Sequence, residues 1–240
     1  MDTLPTAIQA LVSDAMIGLL SPLDSLRFMR SKKSVLVMGL APYLVAIVLY
    51  GVLVARFVMP MLTGFLIEKQ LIPIGWNGLL LLDIIIWVFS LTLFAILGPA
   101  IINTLASPLF DAIAGRTYEH FGRQKLPPGS LATAVRSFLG ECSKLAIWLM
   151  FTIFLASIPF AAILGGPFAL WFLGWTQVDR TLNLKTMHLR ERLLFGLEHA
   201  PACICLGIWG LIPGLNTLFT FLMASAGAVV VAKAEQRNNQ

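Results

Sequence analysis

The chain has 240 residues, 58% of them hydrophobic and only 12% charged, with a formal net charge of +5. A charged share about half that of a soluble domain excludes an ordinary water-facing surface. The basic residues are scattered between apolar tracts instead of gathered on one module, which argues against a nucleic-acid partner. The pattern predicts an all-α integral membrane protein forming one domain over 1–240.

Residues 1–33 open without a basic leader region, and Asp14 falls where a signal core would need apolar residues, so no cleaved signal peptide is expected. Ile8, Leu11, Val12, Ala15, Leu19, Leu23 and Leu26 recur in steps of three and four, which lines one face of an amphipathic helix. This helix is predicted to lie along the cytoplasmic interface. Asp14 and Asp24 sit off the stripe, and Arg27, Arg30, Lys32 and Lys33 follow where anionic headgroups would meet them.

Residues 34–59 and 78–102 hold the two unbroken apolar tracts, each longer than the roughly 20 residues a helix needs to cross hydrocarbon. Both are predicted to span. The loop from Pro60 to Asn77 carries only Lys69, whereas every other connection is rich in Lys and Arg, so this loop faces away from the cytoplasm. Arg56 and Asp83 fall at similar depth on the two spans. They read either as a gate or ion relay, or as a structural pair or snorkelling charges near the interface.

Residues 103–143 are read as cytoplasmic helices. Ser107-Pro108 marks a helix start, Leu109, Ile113 and Phe121 give a partly apolar stripe beside Arg116 and Glu119, and Pro127-Pro128-Gly129 is a turn. Residues 144–178 are apolar but interrupted at Ile158-Pro159 and at Gly165-Gly166-Pro167. Residues 202–233 are interrupted at Ile212-Pro213-Gly214-Leu215-Asn216. Proline removes an amide donor and glycine permits tight reversals, so each cluster predicts a bend. As helices, the first arms would be only about 21 and 16 Å long, too short to cross alone. Two broken helical hairpins, re-entrant or half-spanning, are therefore predicted, with four thin tilted spans as the alternative. Between them, 179–201 is an amphipathic helix with Arg190, Glu191 and Arg192 expected in water. Trp76, Trp87, Trp148, Trp171 and Trp175 read as interface anchors, and the small residues Ala224 to Ala228 as a close-packing seam.

Three cysteines, with Cys203 and Cys205 pointing about 200° apart on a helix, are packing residues. His120, His188 and His199 lack ligand spacing, so no metal or other cofactor is expected. No phosphate-cradling glycine loop, nucleophile elbow or carboxylate pair occurs, which points to neither an enzyme nor an ATP-driven pump.

Four landmarks in order resemble the CysZ-like sulfate permease family of bacterial inner-membrane proteins over nearly the whole chain. They are Ala41-Pro42-Tyr43-Leu44; Ala-Ser-Pro-Leu-Phe from Ala106 to Phe110; Asp179 followed by Leu189-Arg190-Glu191-Arg192; and Ile212 to Asn216 with the tract Ala224 to Ala228. The resemblance implies two long spans plus two half-inserted hairpins, and a multi-pass homo-oligomer in the inner membrane. It also implies passage of sulfate for cysteine biosynthesis without ATP hydrolysis.

Two departures qualify it. The family's Gly-hydrophobic-Arg-Arg stretch falls on Ser34-Val35-Leu36-Val37, so both arginines are missing, and Phe221 stands near where relatives carry a proline. Lys32, Lys33 and Ser34 still offer two ammonium groups and a helix N-terminus to sulfate or a similar oxyanion. Lysine lacks the fixed fork of arginine, which predicts looser selectivity. The competing reading makes Lys32 and Lys33 charges that only set topology. Asn216, at the last bend, completes the substrate-binding set, unless it merely caps broken backbone. The alternative function, in another class, is a membrane scaffold or lipid-interacting protein without transport.

Overall fold

The computed structural model describes residues 3–68, 84–88, 90–91, 105–122, 124–126, 161–212 and 219–238, with five single positions between 135 and 150. Every regular element among them is helical. In chain order these are α1 (Thr3–Ser31), α2 (Lys33–Leu53), a π-helical turn (Val54–Val58), α3 (Met59–Glu68), α4 (Ser107–Gly122), α5 (Ala161–Leu184), α6 (Leu189–Glu198), α7 (Ala200–Gly210) and α8 (Thr220–Asn238). The chain divides into two compact units, one of Met1–Leu40 with Thr104–Gln240, the other of Ala41–Asn103.

In the larger unit α8 is the central element, packed on α1, α4 and α5, while α7 lies against α1 and α5. From Phe221 to Ala232 every residue of α8 is buried, and the predicted small-residue seam lies within this stretch. At Gly227 any side chain would run into the backbone of Gln177, so the absence of a Cβ is what lets α8 reach α5. The same device joins α5 to α7. A Cβ on Gly174 would strike the carbonyl of Cys203 and the amide of Gly207, and one on Gly207 would strike the carbonyl of Leu170. Backbones this close gain dispersion contacts and leave no room for a methyl group.

The larger unit turns polar groups inward and apolar groups outward along α1. Asp14, Ser21 and Ser25 are buried, whereas Ile8, Leu11, Val12, Leu19, Leu23 and Leu26 are all exposed. The stripe read from periodicity is therefore the outer face. Asp14 meets His199 Nδ1 at 3.2 Å and Arg237 Nη1 at 2.6 Å, and Asp24 meets Lys233 at 2.5 Å, so the two acids of α1 are drawn to the interior side.

Four sequence expectations need correction. Helix α5 runs through Gly165-Gly166-Pro167 without interruption. Pro167 lies inside this helix, where its ring removes one backbone hydrogen bond while its fixed φ of about −65° lets the helical path continue. The helix also continues past 178 to Leu184, where Thr186, at φ 60°, ends it in the left-handed conformation typical of helix stops. Arg192, expected in water, is turned in against Asp179 at 2.8 Å. Trp175, read as an interface anchor, is buried and stacked on Trp171 with centroids 5.8 Å apart. The two indoles donate to the carbonyls of Arg192 and Gly196 and so hold α6 on α5.

The break in the last apolar tract falls where proline predicts it, since α7 stops at Gly210 and Leu211 and Ile212 form a turn. Helices α6 and α7 meet at 88°, and neither alone is of spanning length. Ile158-Pro159, Asp83, Trp76 and Trp148 lie outside the described residues, as does most of the 78–102 tract.

In the smaller unit the helix begun by α2 continues through the π turn. The continuous helical stretch Lys33–Met61 is the one described helix long and apolar enough to cross a membrane. Only 17% of its most apolar window is buried, whereas the core helix of a soluble protein would be mostly buried. Tyr50 donates to the carbonyl of Ser90 at 2.6 Å and ties this helix to the helical residues 90–91. Arg56 is exposed within the π turn.

Candidate functional site

A single residue, Lys32, separates α1 from α2. Its amide closes α1 by donating to the carbonyl of Phe28 at 2.9 Å, and its carbonyl receives the amide of Val35 at 2.9 Å to open α2. The negative end of α1 and the positive end of α2 meet here within one residue and oppose each other, so the positive charge at the junction comes from side chains.

An open recess of about 390 Å³ lies beside the junction, lined by Phe28, Lys32, Ser34, Val35, Arg116, Glu119 and His120. The last three come from α4 at i, i+3 and i+4, spacings that share one helix face. The His120 ring packs on Phe28 with centroids 4.8 Å apart and edge-on to Phe121, which orients it. Glu119 accepts the amide of Leu126 at 3.1 Å. Two permanent cations and a histidine thus share the recess with one carboxylate. That arrangement can hold a small oxyanion by charge and hydrogen bonds.

Of the four residues predicted to bind substrate, Lys32 and Ser34 line this recess. Lys33 is exposed in the first turn of α2 and is not among the lining residues. Asn216 lies outside the described residues. Sequence reasoning missed Arg116 and His120 as partners of Lys32. In sequence Arg116 stands only beside the apolar stripe of this helix, and the shared face of 116, 119 and 120 is the available signal.

Toward the start of α4, α4 and α5 share a buried polar row. Ser107 opens α4 as predicted, yet its hydroxyl accepts from Arg180 at 3.2 Å. Arg180 lies 3.6 Å from Asp111 and over the Phe110 ring. Thr117 and Ser225 join their hydroxyls at 2.8 Å between α4 and α8. Arg192 joins Asp179, so the third sequence landmark is one ion pair in space.

At the far end of α4 the Tyr118 hydroxyl donates to Glu235 at 2.5 Å, and Lys185 pairs with the same carboxylate. Burial raises the Tyr118 hydroxyl above its ordinary value, and its bond to Glu235 adds to this. Burial alone would lower Lys185, but its bonds to Glu235 and Tyr118 outweigh that and raise it. A folded-state pKa raised above the unfolded one gives stability that is full below the unfolded value and lost as pH climbs through the folded value. The ordinary values are 10.0 and 10.5, so thermal stability should fall as pH rises above about 10. A combined Tyr118→Phe, Lys185→Met variant should lose less over that interval. Melting followed from pH 8 to 11 would check this, and equal slopes for both proteins would contradict it.

The chain matches the family model described as "Sulfate transporter CysZ/Etoposide-induced protein 2.4" over residues 21–231. It belongs to that family. The matched segment runs from within α1 into α8 and contains the whole recess. This is a transporter family and not an enzyme family, which agrees with the sequence reading and points to a membrane location. No curated protein matches the chain.

Proposed function

We propose that this chain is a multi-pass permease of the bacterial inner membrane. It passes sulfate or a similar small oxyanion for cysteine biosynthesis, without ATP hydrolysis and as a homo-oligomer. The carrying observation is the recess that brings Lys32, Ser34, Arg116 and His120 together at the start of the span-length helix. Family membership supplies the substrate class.

The architecture we infer has spans over 34–59 and 78–102, a broken hairpin from 144 that ends with α5 at Leu184, and a second over 202–233. It is supported by the outward apolar surface of Lys33–Met61 and by α7, whose eleven residues reach only about 16 Å. Arg116 restores to the recess one of the two guanidinium groups that the Ser34 to Val37 stretch lacks. Asn216, at the last bend, is retained as a second contact for the permeant ion.

The test is uptake of radiolabelled sulfate by proteoliposomes holding the purified chain. Uptake above empty liposomes, competed by unlabelled sulfate and independent of ATP, is expected. Absence of flux with correctly inserted protein would favour the scaffold reading.

A further inference from the structure

We propose that the outer face of α1 is a docking surface for an anionic phospholipid leaflet, and that it selects anionic over zwitterionic headgroups. The inference rests on the chain being a membrane protein and not on its carrying sulfate.

The outer face presents Ile8, Leu11, Leu19 and Leu23, between 40% and 57% exposed, along a helix of 29 residues. Over the eighteen residue steps from Ile8 to Leu26 this stripe is roughly 27 Å long, enough to lie along a leaflet. Its charge is one-sided. Asp14 is turned in to His199 and Arg237, and Asp24 is held by Lys233, with Arg27 3.8 Å away. At the C-terminal end of the stripe Arg27 and Arg30 are exposed, the Arg27 side chain by 82%.

Apolar side chains followed by guanidinium groups, with the acids withdrawn, match acyl chains bordered by phosphates. A second copy docking through the same face would bring the same cations and, among the described residues of α1, no exposed acid. Charge complementarity therefore selects the phosphate of a lipid.

The full-length protein, purified in detergent, is exposed to equal amounts of phosphatidylglycerol and phosphatidylcholine, and bound lipid is read by native mass spectrometry. The wild type should retain phosphatidylglycerol preferentially. Arg27→Gln with Arg30→Gln should cut that preference about ten-fold. Excess inorganic phosphate should leave the lipid in place, because the acyl contacts are not available to the free ion. Equal retention of both lipids, no change in the double variant, or displacement by phosphate would overturn the proposal.

A photoreactive benzoyl-phenylalanine replacing Leu19, in vesicles of the same two lipids, gives a second readout. Crosslinks to phospholipid are expected. Crosslinks to another copy of the chain would overturn the assignment.

Discussion

Replacing Gly174 by alanine is expected to destabilise the folded chain by about 3 kcal/mol, the upper end of what an overpacked methyl group costs. The reason is the identity of the neighbours. The new Cβ would meet the carbonyl of Cys203 and the amide of Gly207, which are backbone groups on α7 and cannot rotate aside as a side chain would. Gly207→Ala meets the carbonyl of Leu170 across the same seam and should cost a similar amount. For a chain of this size each change should lower Tm by roughly 6 to 12 °C. Gly51 in α2 is the contrast, because nothing lies within 4 Å of its added Cβ. Gly51→Ala should be neutral or stabilising by up to about 1 kcal/mol, since alanine loses less backbone freedom on forming a helix. Equal Tm changes at positions 174 and 51 would contradict the backbone-contact explanation.

Arg192→Ala should destabilise the folded chain by about 3 to 5 kcal/mol. It withdraws the cation that Asp179 meets at 2.8 Å, and the Asp179 side chain is only 1% exposed. A carboxylate at that depth has little water to replace the guanidinium. Arg192→Lys should recover part of the loss, because an ammonium restores the charge but not the planar fork. The indole bond from Trp175 to the backbone carbonyl of Arg192 survives both changes, so α6 should remain attached while the pair is broken. Thermal melting of the three proteins in one detergent separates the cases. Indistinguishable midpoints for wild type and Arg192→Ala would mean that the pair contributes nothing to stability.

Much of the helical plan was legible in sequence because apolar periodicity and proline act locally. The stripe of α1, the start of α4 at Ser107-Pro108 and the stop of α7 before Pro213 follow from neighbours within a few residues. What escaped was set by long-range packing. Gly165-Gly166-Pro167 looks like a bend, yet α5, packed on α7 and α8, passes through it unbroken. Arg192 reads as a wet charge until Asp179, thirteen residues earlier, is seen across the α5 to α6 turn. Periodicity also located the stripe on α1 without saying which side is buried. The inward pairing of Asp14 with residues 185 and 223 positions away decides that.

The candidate site divides the same way. Lys32 and Ser34 could be chosen from sequence, because an apolar helix start flanked by cations is a local anion signal. Arg116 and His120 belong to the recess only through the packing of α4 beside the α1 to α2 junction, more than eighty residues further along the chain. Their arrival changes the chemistry expected there. A recess holding a lysine and an arginine can offer a point charge together with a planar, two-pronged donor, which suits a tetrahedral oxyanion better than lysine alone.

The most direct measurement compares sulfate uptake by proteoliposomes of the wild-type chain with uptake by the Lys32→Ala, Arg116→Ala double variant at equal protein content. Each lost charge-assisted hydrogen bond is worth about 1.5 to 3 kcal/mol, so uptake at low sulfate should fall at least ten-fold. Equal uptake by the two proteins would show that permeation does not pass through this recess, and no uptake by either would remove the permease reading itself.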